Sequence, residues 1–153
     1  MFAVSGCCQQ QSIALTDFVS LIPQWEVPSN SSPYVIGDNG AAYGHYQIHE
    51  VMVDDYNRIT GSQASHMDAF DPETSELMAH AVLSHYAKYI QSSGIPPTVD
   101  HMLFIWNGGG GAWRRVERPI ADQKQTNLYR YRARALPVIF RSVSQTRLAL
   151  RGG

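Results

Sequence analysis

The chain has 153 residues, of which 44% are hydrophobic and 16% charged, so it is long and apolar enough to fold around a core as one domain. It has no run of eighteen apolar residues, so no transmembrane helix is expected. The formal net charge of −1 divides into −9 for residues 1–110 and +8 for residues 111–153, which indicates either attraction within one fold or a surface for an anionic polymer.

The first fifteen residues are predicted to be an extension, either disordered or of artificial origin. They lack the basic segment and the long apolar segment of a secretory signal. Cys7 and Cys8 are the only cysteines and are adjacent, so they predict neither a disulfide framework nor a metal site. A folded domain is expected over residues 16–143, with a C-terminal tail over residues 144–153.

The first predicted helix places an acidic residue at its end. Thr16 can cap this helix, and its apolar stripe continues to Trp25, which puts Glu26 near the last turn. Residues 27–44 are rich in Pro, Ser, Asn and Gly, so they predict a small hairpin or an irregular loop.

Apolar stripes and capping residues predict further helices over residues 45–60, 72–93, 99–106 and 126–143. Gly61 ends the first of these, Asp71 and Thr98 cap the second and third, and Pro137 kinks the last. In the last helix arginines alternate with apolar residues at helical spacing. This pattern favours the interpretation that the acidic and basic parts of the chain attract each other within one fold. No strand set suggests a sheet-built core, so the predicted fold is mostly α with one small β element.

Two carboxylates stand out by their surroundings. Glu26 lies between Trp25 and Val27, where partial desolvation would suit a general acid, although a surface glutamate at a helix end fits the same pattern. Asp38 lies in the turn-forming segment Gly37–Gly40. It is either an ordinary turn residue or the second carboxylate with which many glycosidases position a water.

Several side chains suit contact with sugars. Four aromatic residues offer flat apolar faces on which sugar rings stack, although each alone is more typical of a core: Tyr43, Tyr46, Trp106 and Trp113. Gln47 and Asn107 can hydrogen-bond to hydroxyl or N-acetyl groups. The six histidines lack the spacing of a metal site, so neither a metal nor another cofactor is expected.

Taken in order, four segments resemble the lytic transglycosylases of the lysozyme superfamily (the SLT domain) and the goose-type lysozymes. Glu26 occupies the position of their catalytic glutamate, and Gly44–Ile48 matches their Gly-x-x-Gln-Ile segment. Ile105–Gly109 is similar to their Ala-Tyr-Asn-Ala-Gly segment, and Tyr131 resembles a late helical tyrosine, with Tyr129 as the competing choice. The resemblance covers roughly residues 16–140.

This resemblance implies an α+β lysozyme-like domain that cleaves the β-1,4 bond between N-acetylmuramic acid and N-acetylglucosamine. Glu26 would be the general acid and base, and the partner would be the glycan strands of peptidoglycan. It further implies a monomer that acts on the cell wall, in the periplasm, outside the cell or on a virion, without nucleic acid. The substrate-binding residues it implies are Tyr43, Gly44, Tyr46, Gln47, Ile48, Trp106, Asn107 and Tyr131.

Alternatives remain open at this point. In a transglycosylase, which the resemblance favours slightly, Glu26 takes a proton from the muramic 6-hydroxyl and a 1,6-anhydro ring closes. In a hydrolase, Asp38 or Glu50 positions a water. Val27 and Pro28 stand where the family usually has a serine, which motivates a third reading as an inactive glycan-binding module. Nucleic-acid binding through the arginine-rich C-terminal region is the least favoured.

Overall fold

The computed structural model describes residues 1–4 and 11–151, and Cys7 and Cys8 lie outside this range. The chain divides into two compact units, unit 1 (Met1–Phe18 with Ala87–Gly153) and unit 2 (Val19–Tyr86). Residues 16–143, predicted as a single domain, therefore contribute to both units. In chain order the elements are β1 (Phe2–Val4), β2 (Gln11–Ile13), α1 (Leu15–Leu21), α2 (Pro23–Glu26), β3 (Ile36–Gly37), β4 (Ala42–Tyr43), β5 (Ile48–His49), α3 (Glu50–Thr60), α4 (Pro72–Ser92), α5 (Val99–Gly108) and α6 (Gln123–Arg151).

Helices dominate the described residues, and the predicted mostly-α fold is confirmed at this level. The described helices include none that is long and apolar enough to cross a membrane.

The β element of unit 2 is a three-stranded antiparallel sheet in the order β3-β4-β5. Ile36 pairs with Tyr43, and Ala42 pairs with His49. The predicted hairpin or irregular loop is thus an ordered sheet whose third strand lies beyond residue 44. Helix α3 begins at Glu50 rather than near residue 45, because residues 44–47 form a turn and residues 48–49 pair with β4.

Local capping signals set most helix boundaries where the sequence predicts them. Gly61 ends α3 in the left-handed conformation, with φ of 74°. The carboxylate of Asp71 accepts hydrogen bonds from the backbone N–H of Thr74 at 2.8 Å and from its hydroxyl, and these bonds lower the pKa of Asp71. At α5, Thr98 Oγ1 accepts a hydrogen bond from the backbone N–H of His101 at 3.3 Å.

Unit 1 is built around α5, whose Val99 and residues 101–106 are buried. This helix contacts β1, α6 and the short 3₁₀ turn Ala112–Arg115. Strands β1 and β2 pair antiparallel, and Phe2 and Ile13 are buried. Within residues 1–15, the described residues 2–4 and 11–13 are therefore paired strands, and residues 5–10 lie outside the described range.

Helix α6 is longer than the sequence predicts at both ends. It begins at Gln123 and continues through the residues expected to form a C-terminal tail, and Pro137 lies inside it. Its buried side recurs at helical spacing from Gln125 to Val143, so packing within unit 1 accounts for the earlier start of the helix. Residues 144–150 are helical but exposed. The buried residues are Gln125, Leu128, Tyr131, Ala135, Ile139 and Val143.

Candidate active site

Glu26 is the last residue of α2, as its predicted place near a helix end requires. Pro23 opens this short helix, where its missing N–H costs no hydrogen bond, and its carbonyl accepts one from Val27 N–H at 3.2 Å. Val27 is extended, so the chain leaves the helix directly after the glutamate. Glu26 itself is half-buried, and Trp25 beside it is buried.

Asp38 lies in the turn between β3 and β4. Asp38, Asn39 and Gly40 have φ values of 47°, 55° and 97°, a left-handed run that makes the turn tight. The Asp38 side chain is 64% exposed, and its Oδ2 lies 3.4 Å from Nε2 of His49, which is 44% exposed. Because Glu50 follows His49 at the start of α3 and is exposed, the structure brings Asp38, His49 and Glu50 to the same end of the sheet.

The segment Gly44–Ile48 forms the turn between β4 and β5. Gly44 has a φ of 72°, and a Cβ added to it would lie 2.1 Å from the carbonyl oxygen of Ala69. The backbone N–H of Gly44 donates to the carbonyl oxygen of Val35 at 2.9 Å. Only glycine fits this position, since both the conformation and the space exclude a side chain.

Gln47 closes the same turn. Its backbone N–H and its side-chain Nε2 both donate to the carbonyl oxygen of Gly44, at 3.0 and 2.8 Å. A Cβ on Gly37 would lie 1.8 Å from Gln47 Oε1, so this amide packs directly on the β3 backbone. Gly37, Gly44 and Gln47 therefore pack together within the sheet. The Gln47 amide group uses its Nε2 for the hydrogen bond to Gly44 and packs its Oε1 on Gly37.

Tyr43 and Tyr46 are packing residues, which corrects the prediction that they offer open faces to sugars. The Tyr43 ring is parallel to the rings of His66 and Phe70, with centroids 3.9 and 4.7 Å away. Two parallel rings this close do not fit over one face, so they cover both faces of Tyr43. Tyr46 is 4% exposed, and burial, aided by the negative charge of Glu76, raises its pKa to about 12. Ile48 is fully buried as well.

The ring contacts around Tyr43 were missed because they join segments more than twenty residues apart. Nε2 of His66 lies 2.7 Å from the carbonyl oxygen of Ile48, which fixes the imidazole against the sheet. On the other side, Phe70 contacts Tyr34 with ring centroids 5.7 Å apart, and Tyr34 is 72% exposed. The only hint in the sequence was Tyr34, an aromatic residue within the polar segment 27–44. One such residue does not by itself identify a site.

In unit 1, the segment Ile105–Gly109 ends α5. Trp106 is 8% exposed and belongs to the core, whereas Asn107 is exposed. Gly109 has a φ of 82° and donates its N–H to the carbonyl oxygen of Ile105 at 2.8 Å. At Gly108 an added Cβ would lie 2.7 Å from Cβ of Ala112, so this glycine allows close packing of the next turn.

The two candidate tyrosines of α6 both pack within unit 1. Tyr131 is buried, and the guanidinium of Arg134 lies 5.2 Å from its ring centroid. Tyr129 is half-buried, its hydroxyl donates to the carbonyl oxygen of Arg118 at 3.0 Å, and its ring meets Phe104 edge-on. Burial thus places Trp106 and Tyr131 in the core rather than on a sugar-binding surface.

The predicted site residues fall into both units. Asn107 belongs to unit 1 with the buried Trp106 and Tyr131. Among residues 1–4 and 11–151, no group of three or more His, Cys, Asp or Glu side chains is arranged to hold a metal ion. The predicted residues that lie in unit 2 are Glu26, Asp38, Tyr43, Gly44, Tyr46, Gln47, Ile48 and Glu50.

Comparison of the chain with protein-family models, with curated proteins and with solved structures gives no match. The function is therefore argued from these residues and their surroundings.

Proposed function

We propose that this chain cleaves the glycan strands of peptidoglycan at the cell wall, as a lytic transglycosylase with a lysozyme-like fold and Glu26 as its general acid. The observation that carries the proposal is the position of Glu26. It is a half-buried glutamate at the last residue of a helix, beside a buried tryptophan and ahead of a small antiparallel sheet. The resemblance predicts this order of helix, glutamate and β element.

The proposed reaction needs one carboxyl group that acts twice. Glu26 donates its proton to the glycosidic oxygen, and the bond from that oxygen to C1 of the muramic residue breaks. The resulting carboxylate then takes the proton of the muramic 6-hydroxyl while the 6-oxygen attacks C1. This closes the 1,6-anhydro ring and returns the proton to Glu26, so no water is consumed.

Hydrolysis is the second candidate, and the exposed group at the end of the sheet favours it. Asp38 is a largely exposed carboxylate on a tight left-handed turn, and its Oδ2 lies 3.4 Å from Nε2 of His49. Such a group can hold a water, and Glu50 is exposed next to His49. In this reaction the water, rather than the 6-hydroxyl, attacks C1, and the product is a reducing end.

The remaining predicted residues take different roles in this proposal. Gly44, Gln47 and Ile48 support the site by building the β4–β5 turn, as their contacts within the sheet indicate. Asn107, in unit 1, is exposed, and its role as a hydrogen-bond partner of a sugar stays a prediction.

Substitution of the glutamate tests the proposal directly. We expect Glu26→Gln to reduce the clearing of purified cell walls by at least about 100-fold, because an amide cannot supply the proton and general acid catalysis contributes roughly 10² to 10⁴. Glu73→Gln is the matched control, since it removes an exposed carboxylate of the same unit with the same loss of charge, and it should retain activity. Circular dichroism verifies that both variants fold. Full activity of a folded Glu26→Gln protein would contradict the proposal.

A further inference from the structure

Tyr34, in unit 2, is a large aromatic side chain that the fold leaves in solvent. It is 72% exposed, and its ring meets that of Phe70 with centroids 5.7 Å apart and an interplanar angle of 51°. Phe70 in turn lies nearly parallel to Tyr43, so Tyr34 is the outermost ring of a column that packs on the sheet. Most of the apolar surface of this ring stays in water, where a flat apolar ligand can still cover it.

The backbone on both sides of Tyr34 is held in place. The carbonyl oxygen of Val35 accepts a hydrogen bond from the N–H of Gly44 at 2.9 Å. On the other side, Nε2 of His45 lies 3.0 Å from the carbonyl oxygen of Ser31. The segment that presents the exposed ring is therefore tied at both ends to the start of the β4–β5 turn. A ring presented in this way loses little conformational entropy when a ligand covers it.

The segment around this ring is polar but uncharged. Residues 27–37 contain no Asp, Glu, Lys or Arg, and the segment lies between Glu26 and Asp38, the two candidate carboxyl groups. Its exposed polar residues are Ser29, Asn30 and Ser32. Hydroxyl and amide groups pair with neutral hydroxyl and N-acetyl groups, whereas phosphate and carboxylate ligands are bound best by cations. This composition favours a neutral ligand that is rich in hydroxyl groups.

We propose that Tyr34 is a substrate-binding residue whose ring stacks on one sugar ring of the glycan strand, the role that burial denies to Tyr43 and Tyr46. A pyranose has a face of C–H groups that packs on an aromatic ring, while its edge carries hydroxyl groups for the polar residues of the segment. Tyr34 precedes Asp38 by four residues, so their Cα atoms are at most about 14 Å apart. The choice of a glycan rests on the proposed function; the exposure of the ring and its ordered backbone do not.

Binding of chitohexaose, the hexamer of β-1,4-linked N-acetylglucosamine, tests this inference in the Glu26→Gln background, where proposed cleavage cannot remove the ligand. NMR titration measures the dissociation constant and the upfield ring-current shift of sugar C–H protons that stack on an aromatic ring. We expect Tyr34→Ala to weaken binding at least about threefold and to abolish this shift, because the stacking surface is lost. Tyr34→Phe should keep both, because it retains the ring.

Tyr89→Ala is the matched control, because it removes another exposed tyrosine, in unit 1, and it should leave the affinity and the shift unchanged. Circular dichroism verifies that each variant folds. Equal affinity of Tyr34→Ala and its parent, equal loss in Tyr34→Phe and Tyr34→Ala, or equal loss in Tyr89→Ala would overturn the inference. Failure of the parent to bind chitohexaose would overturn it as well. So would a dimer, detected by sedimentation, that Tyr34→Ala abolishes, since the ring would then belong to an interface between copies.

The two proposals fail independently in this design. Binding of chitohexaose that depends on Tyr34, without cleavage of purified cell walls by the wild-type chain, supports this inference and contradicts the proposed function. Cleavage by the wild-type and Tyr34→Ala proteins with the same half-saturating wall concentration supports the proposed function and overturns this inference.

Discussion

At the scale of single residues, Gly44 is constrained twice over. Its φ of 72° lies in the left-handed region, and its Cα hydrogen faces the carbonyl oxygen of Ala69 with no room for a methyl group. Gly61 provides a natural comparison, because its φ of 74° is nearly the same while nothing lies within 4 Å of an added Cβ. Comparison of the two glycines therefore separates two contributions to the free energy of a Gly→Ala substitution. One is the cost of a left-handed backbone, and the other is the cost of a steric clash.

We therefore expect Gly44→Ala to lower the free energy of unfolding by at least about 3 kcal/mol and Gly61→Ala by about 1 to 2 kcal/mol. The larger cost arises because the Ala69 carbonyl belongs to the backbone and cannot move away as a flexible side chain would. Denaturant titration of both variants measures the two values. Equal losses would show that the turn relaxes around a methyl group and that close packing does not explain this glycine.

Individual residues also show where sequence patterns stop being informative. Gly44 and Gln47 were recognisable from the sequence. Their contacts, Ala69 for Gly44 and Gly37 for Gln47, could not be predicted from any nearby residue. Tyr43 and Tyr46 were selected as sugar platforms because an aromatic ring in a glycine-rich loop suits either role. Burial against rings and helices distant in the chain decides between the roles, and that information is absent from spacing alone.

At the scale of elements, the N-terminus of α5 contains a buried histidine that also caps the helix. Nδ1 of His101 accepts a hydrogen bond from the backbone N–H of Thr98 at 3.1 Å, which requires this nitrogen to be unprotonated. Burial lowers the pKa of His101, and the negative charges of Asp100 and Glu117 oppose the shift only in part. Protonation therefore costs both solvation and a capping bond.

The resulting pH dependence has a definite sign. Because the pKa of His101 is lower in the folded protein than in the unfolded chain, the unfolded chain binds more protons below about pH 6.5. The stability that the neutral imidazole provides is complete above that pH and is lost as the pH falls through the folded-state pKa.

His101→Gln tests this sign, because Thr98-x-x-Gln restores a capping box that does not titrate. Between about pH 7.5 and about pH 5, the free energy of unfolding should fall more in the wild-type protein than in this variant. The other histidines are common to both proteins, so their contributions cancel in the difference. An equal fall in both, measured by denaturant titration across this range, would contradict the assignment.

Helix boundaries that have a local capping signal were predictable, whereas the strands and the limits of α6 were not. Gly61, Asp71 and Thr98 act on backbone groups within one turn, so the sequence alone locates them. Strands β3, β4 and β5 have two residues each, too few to show alternation, and they exist through pairing across turns. The N-terminal pair of strands depends in the same way on contacts with α5 and α6.

At the scale of the whole molecule, the chain separates its acidic and basic parts along the sequence. Part of the basic excess after residue 110 is used in ion pairs within unit 1, between Arg115 and Asp122 and between Arg132 and Asp100. The proposed catalytic carboxyl lies in unit 2, in the acidic part of the chain. Under our account cleavage of the glycan is the task of unit 2.

The central claim is that Glu26 cleaves the glycan by transferring a proton to the leaving oxygen and closing an anhydro ring. Mass spectrometry of the soluble products from purified peptidoglycan, treated with the wild-type chain or with Glu26→Gln, tests it most directly. We predict 1,6-anhydromuropeptides from the wild-type chain and none from the variant. Reducing-end muropeptides in their place would make the protein a hydrolase and turn attention to Asp38. The absence of soluble products from both proteins, or the same products from both, would contradict the account.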